Sequence, residues 1–275
     1  MNSEFLNQLN KAERIKASDS AKWLLSRGIA SVTTDELAAL LGIPKNQVPQ
    51  RMAPLKHKGE LISPAEGLWI PVPPEYMTWK APPAIEIIDA MMRHLHVDYY
   101  IGWLSAAEMH GVSHHAPQVF QVATSKPIRD RTVGRSRFRF YHRTRINQVP
   151  LIRIETRSGM VPISCKEATL LDAANDITIV GGIDNAANVI IELCEKTAPD
   201  IDVLASLSMH YPVTAIRRLG YLIEEFTDID GLEPLKAASS ASKAALSLLH
   251  AKSGHKGTIN ANWNLKINRE VSPDV

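Results

Sequence analysis

The chain predicts an α+β protein: an N-terminal winged helix-turn-helix followed by a larger mixed α+β domain. Three observations carry this. Residues 33–61 read as two short amphipathic segments around a glycine turn, residues 71–83 are rich in proline, and strand and helix periodicities alternate beyond them. A chain of 275 residues is long for one core, and the composition break near residue 80 divides it into 1–80 and 81–275.

The first helix is read in SDSAKWLLSRG, where a capping serine precedes Trp23, Leu24 and Leu25 and Gly28 stops the segment. A second starts at Thr33, whose spacing to Glu36 is that of a capping box, and Leu37, Leu40 and Leu41 form its apolar stripe up to Gly42. The third buries Val48, Met52 and Leu55 at i, i+4 and i+7. Its other face carries Lys45, Asn46, Gln47, Gln50 and Arg51, side chains that bond base edges and phosphates in a major groove. Pro44 and Pro49 fall in its first turn, where a missing N–H is harmless. Pro54 lies further in, so a kink or an early end is expected there, with LKHKG as a last irregular turn. Leu61 and Ile62, a SPAEG turn, and Leu68, Trp69 and Ile70 then read as a β-hairpin, the wing. Such a shape also serves as a protein-docking module, and the excess of 10 Lys and Arg over 8 Asp and Glu in residues 1–80 is modest. The exposed polar face favours DNA.

Prolines 71, 73, 74, 82 and 83 make the connector stiff. Residues 84–96 read as a helix, and the stretch after Ile101 as a second helix turning into a strand over 119–124. In RDRTVGRSRFRFYHRTR, Arg135, Arg137 and Arg139 alternate with Phe138 and Phe140, a strand pattern with arginines on one face. Arg143 and Arg145 extend that basic run. It offers phosphate or an acidic protein surface a partner, or else is a solvated edge strand using charge against aggregation. Helices follow in ISCKEATLLDAAND, in the stripe Ile183, Ala186, Ala187, Ile190, Ile191, Cys194, in VTAIRRLGYLIEEF and in LKAASSASKAALSLLHA. The alternation Ile259, Ala261, Trp263, Leu265, Ile267 reads as one terminal strand.

Composition fits a folded globular protein, 45% hydrophobic and 22% charged. Residues 81–160 hold 11 Lys and Arg against 6 acids, whereas residues 161–275 hold 10 against 15, so the middle of the chain is the part that seeks an anionic partner. Cys165 and Cys194 sit in apolar segments and read as core residues of a reduced, cytoplasmic protein. The polar N-terminus is no signal peptide, and no apolar run reaches the ~18 residues of a membrane helix.

The usual catalytic motifs are missing: the sequence has neither a glycine-rich phosphate loop nor a G-x-S-x-G elbow. His110 and His114 have helical metal-pair spacing, but Gly111 interrupts it and no HExxH glutamate accompanies it, so His94, His96, His110, His114 and His115 read as structural or surface residues. In ISCK, Ser164 stands where a nuclease would need an acid. The expectation is a non-enzyme with no metal and no cofactor.

Residues 99–141, YYIGWLSAAEMHGVSHHAPQVFQVATSKPIRDRTVGRSRFRFY, resemble the AbiEi family, antitoxins of abortive-infection type IV toxin–antitoxin systems, as do KEATLLDAAN, GGIDNAANVI and RRLGYLIEEF. The resemblance runs from about residue 20 to 230. It implies an antitoxin domain at 81–275, a gene beside that of a nucleotidyltransferase-like toxin, and autorepression of the shared promoter through the winged helix. Its partners would be double-stranded DNA, with paired half-sites, and the toxin, met directly or countered indirectly. Carried onto this chain, the DNA reader is Lys45, Asn46, Gln47, Gln50 and Arg51, with Thr33 and Thr34 at a helix N-terminus suited to phosphate. The Arg135–Arg145 run is then either a second DNA contact or part of the antitoxin surface. The competing function is a stand-alone winged-helix regulator whose second domain senses a ligand or partner.

Overall fold

The computed structural model describes residues 14–112, 119–241 and 245–274. Helix α1 (Ser20–Ser26) leads to a short strand β1 (Val32–Thr33), helix α2 (Thr34–Leu41), a 3-10 turn over Lys45–Gln47 and helix α3 (Val48–Lys58). Strands β2 (Leu61–Ala65) and β3 (Leu68–Pro71) form an antiparallel hairpin, with β1 on the other side of β3. Thr33 closes the capping box: its hydroxyl oxygen accepts from Glu36 N, while Glu36 accepts from Thr33 N at 2.7 Å. Gly42, at φ +65, turns the chain between α2 and α3 in the left-handed region. Leu24, Leu37, Leu40, Val48, Met52, Leu55 and Trp69 fill the core beneath.

Pro54 does not end α3, which runs on to Lys58 and stops at the left-handed Gly59. The early end expected at Pro54, with LKHKG as an irregular last turn, is thereby corrected. Pro54 lies on the solvent side, so water can satisfy the Gln50 carbonyl that loses its helical donor.

The connector forms a 3-10 helix over Pro74–Trp79. Helix α4 (Ala84–Leu95) and strand β4 (Tyr99–Ile101) come next, followed by helix α5 (Trp103–Met109), strands β5 (Phe120–Thr124), β6 (Arg131–Val133), β7 (Ser136–His142), β8 (Leu151–Thr156) and β9 (Gly159–Ser164). These strands make one sheet in the order β6-β7-β5-β4-β9-β8, with β5/β7 and β4/β9 parallel and the other pairs antiparallel. Alternation sends Ile101, Val122, Phe138, Phe140, Val161 and Ile163 to one face, where α4 covers them. Tyr100 and Ala123 face the opposite layer, built from α6 (Lys166–Asn175), α7 (Ile183–Thr197), α8 (Ile201–Leu207), α9 (Val213–Phe226) and α10 (Glu233–Ser240).

The tail differs from its expected form. The helix read across 235–251 stops at Ser240, and Ser247–Leu248 instead forms a strand, β10. The single terminal strand is a hairpin, β11 (Thr258–Asn260) and β12 (Leu265–Ile267), with Trp263 in the turn. Two buried arginines of α9 cause this, because they capture backbone carbonyls that a helix would have used: Arg217 donates to Ala245 O at 2.7 Å and Arg218 to Leu249 O at 2.8 Å. Trp263 drives its ring over Gly220 and donates Nε1–H to Glu224 at 2.7 Å. Partial burial pulls the Glu224 carboxyl up, but hydrogen bonds from Lys236, Trp263 and Asn262 outweigh it and hold it below its ordinary 4.5. A depressed carboxyl stabilises above its unfolded value and loses that contribution as pH falls through its folded one. Acid unfolding followed by tryptophan fluorescence should therefore show a loss below pH 4.5 that Glu224→Gln reduces. An unchanged acid limb in the variant would contradict this.

Candidate functional site

Two groups of polar residues invite a function: an exposed face on α3 and the turn before it, and a buried cluster between the six-stranded sheet and its helices. Lys45, Asn46, Gln47, Gln50 and Arg51 are all exposed, but only Gln50 and Arg51 lie on α3; Lys45, Asn46 and Gln47, expected on the same helix, form the 3-10 turn before it. Gln47, Gln50, Arg51, Pro54 and Lys58 share one shallow depression with Ala17 and Ser18. Helix α3 contains no acid, and among the described residues Arg51 has no ion-pair partner. Lys45 reaches Asp35 at 2.7 Å in an exposed pair of small energetic value. The two threonines are less available. The Thr33 hydroxyl both donates to Glu36 and accepts from its backbone, and Thr34 Oγ1 accepts from Trp69 Nε1 at 2.9 Å, leaving only the Thr34 hydroxyl proton to offer.

The hairpin behind α3 is committed elsewhere. Ile62, Ala65, Leu68 and Ile70 belong to the same apolar cluster as Ile87, Ile88 and Met91 of α4. His94 binds the Glu66 carbonyl at 2.8 Å and Arg131 donates to Pro64 O at 2.8 Å. A hairpin so anchored is tied to α4 and to Arg131.

The arginine run separates into parts. Arg137 and Arg139 lie exposed on β7 between buried Phe138 and Phe140, as the alternation requires, with Arg139 3.4 Å from Asp130. Strand β7 is not an edge, because β6 covers it. Arg135 lies outside the strand, in the turn after Gly134, with its guanidinium 5.4 Å from the Trp79 ring. Arg145 is exposed. Arg143 is the correction: it is no surface residue but turns inward, its side chain only 19% exposed.

There it meets the cluster that the sequence reading missed. Arg143 donates to Asp172 Oδ1 at 2.6 Å and to the Tyr100 hydroxyl, and lies 3.6 Å from Asp176. Tyr211 and Tyr100 donate to Asp172 at 2.7 and 3.3 Å. Trp103 donates Nε1–H to Asp176 at 3.0 Å and takes φ +50, a left-handed conformation that costs a bulky residue about 1–3 kcal/mol and persists only where packing dictates it. The Arg143 guanidinium lies 5.4–6.0 Å from the rings of Tyr100, Trp103 and Tyr211. Burial pushes the Asp172 carboxyl up, against the pull of Arg143 and Tyr211. Arg143, despite burial, is held above its ordinary value by Asp172 and the two tyrosines. The group welds α5, α6 and the loop before α9 to β4 and the end of β7. A signal was present: Asp172 stands between Leu170, Leu171, Ala173 and Ala174, an acid inside an apolar helix.

The histidines are placed as follows. His110 binds the Ser164 carbonyl at 2.8 Å, and His114 and His115 lie outside the described residues. Cys165 caps α6 by accepting from Ala168 N, and burial pushes the Cys194 thiol up to about 12. No helix among the described residues is long and apolar enough to cross a membrane.

Residues 100–225 match the family model described as the AbiEi antitoxin C-terminal domain. This chain carries an AbiEi antitoxin domain. The domain supports an antitoxin's part in a toxin–antitoxin system, a regulatory role that implies a toxin as partner. The matched range takes in the whole Tyr100–Arg143–Asp172–Tyr211 cluster and leaves out α1–α3 and the tail hairpin. By structure, the chain is similar to the RV2827C protein from Mycobacterium tuberculosis, with TM-score 0.64, 15% identity and 92% of each chain covered. At that identity the likeness shows the mixed α+β fold alone. No curated protein matches the chain by sequence.

Proposed function

We propose that this AbiEi-domain protein is a two-part antitoxin, an autorepressor at its N-terminus and a toxin antagonist beyond residue 80. Residues 1–80 would form a winged helix-turn-helix that reads double-stranded DNA at its own promoter, in paired half-sites, through Lys45, Asn46, Gln47, Gln50 and Arg51. The observation that supports this reading is the exposed, acid-free face of α3, which faces away from the core while Val48, Met52 and Leu55 face into it. Because the hairpin is docked on α4, α3 and the N-terminal turn of α2 carry the contact, with Thr34 offering a phosphate its hydroxyl. Residues 81–275 would neutralise a nucleotidyltransferase-like toxin. The exposed Arg137, Arg139 and Arg145 extend the cationic surface toward DNA or toxin; Arg143 takes no part.

Fluorescence anisotropy on a promoter fragment tests the DNA half. Asn46→Ala and Arg51→Ala are each expected to weaken binding roughly 5- to 100-fold, the range for one base-edge contact. If Arg51 also contacts phosphate, the slope of log affinity against log salt falls by about 1 in its variant. Unchanged affinity in both variants would remove α3 as the reader.

A further inference from the structure

Strand β8 closes the six-stranded sheet and has β9 on one side only. Leu151 and Ile152 are 39% and 41% exposed, and Arg153 and Glu155 are exposed as well. Edge strands present a row of free backbone N–H and C=O groups that another strand can meet.

The register shows which groups these are. Cys165 N donates to Pro150 O at 2.9 Å, which makes 150 and 165 a hydrogen-bonded pair. Alternation then commits the backbone of Ile152, Ile154 and Thr156 to β9 and turns that of Leu151, Arg153 and Glu155 to the open edge. Pro162, opposite Arg153, agrees, because it has no N–H to give and stands where none is needed.

An antiparallel partner must set outward residues against outward residues. For a second copy of β8 about a two-fold axis, few registers satisfy this. A centre at Arg153 opposes two arginines and a centre at Glu155 opposes two glutamates, while a centre at Ile152 brings Pro150 into the pairing. A centre at Ile154 sets Arg153 against Glu155 of the second copy, twice, and Ile154 against Ile154. On that face Ile152 and Ile154 of both copies then form one apolar ribbon beside Ile85 of α4. The edge is complementary to itself in charge, in apolar pattern and in backbone phase.

We propose that β8 is a self-recognition edge, through which two copies of this chain join into a continuous twelve-stranded antiparallel-centred sheet. If the DNA reading above also holds, the same axis relates two copies of α3, as paired half-sites require.

Sedimentation velocity on the full chain, without DNA, tests this over a concentration series. The wild type should show a monomer–dimer equilibrium. Arg153→Glu and Glu155→Arg, both at exposed positions, should keep the native circular dichroism and each weaken association roughly tenfold or more, since cross-strand opposite charges become like charges at two places. An equal mixture of the two variants restores opposite charges at both places and should dimerise, as should the double variant R153E/E155R. A wild type that stays monomeric throughout would overturn the proposal, as would a dimer indifferent to both substitutions. So would a monomer whose β8 amides gain hydrogen-exchange protection only on adding the toxin, which would make this edge the toxin's.

Discussion

Asp172→Ala is expected to destabilise the protein by about 3–5 kcal/mol, the usual cost of removing one partner from a buried ion pair. The Asp172 side chain is 0% exposed and accepts from Arg143, Tyr211 and Tyr100, so alanine takes the acceptor from the Arg143 guanidinium and the Tyr100 hydroxyl and leaves Tyr211 only the Ala168 carbonyl at 3.4 Å. Arg143 would retain Asp176 at 3.6 Å, which favours the lower end of that range. Urea unfolding measures the loss through its midpoint. Asp176→Ala, at a side chain 26% exposed, should cost clearly less. A double replacement of Arg143 and Asp172 by Met and Leu should recover much of the stability, because desolvating both charges offsets much of their attraction. An Asp172→Ala variant as stable as the wild type would mean that the cluster is not what joins sheet and helices.

The second large effect changes sign with its surroundings. A Cβ at Gly220 would lie 2.2 Å from Cη2 and Cζ3 of Trp263, a ring that is itself 0% exposed and held by Glu224. Gly220→Ala in the wild type therefore forces the ring out of its seat, at a cost of about 1–3 kcal/mol or more. Trp263→Ala loses about 3–5 kcal/mol of packing. Once Trp263 is gone, Gly220→Ala should stabilise by up to about 1 kcal/mol, because alanine outranks glycine inside a helix. A double-mutant cycle by urea unfolding reads this directly, and additive effects would refute the contact.

What could be read in advance was what is local. The Thr33–Glu36 box, the Val48–Met52–Leu55 face and the Phe138/Phe140 alternation each depend on a few neighbouring residues, and each takes its expected form. The early end expected at Pro54 does not occur because the cost of a helix proline depends on exposure, which a helical pattern does not state. The tail departs from its expected helix because Arg217 and Arg218, 28 and 31 residues before their carbonyl partners, override the helix propensity of its small residues. The β8–β9 hairpin went unread, though Ile152 and Ile154 alternate with charge ahead of a Ser-Gly turn. Arg143 looks like its six companions in sequence; only Asp172, 29 residues on, distinguishes it. The family resemblance reached the antitoxin domain by a separate route, through motifs spread over the range that the family model matches.

The docked hairpin also changes how the two halves should be separated. Cutting near residue 80 would bare the α4 surface that Ile62, Ala65, Leu68 and Ile70 cover, so point variants of the whole chain are the cleaner tool. The most direct measurement is growth rescue by the full-length Asn46→Ala/Arg51→Ala protein, expressed from an unrelated promoter with the adjacent toxin gene induced, beside its affinity for the native promoter. The account predicts lost promoter binding with rescue retained. Rescue lost together with promoter binding, in a protein that still folds, would contradict it.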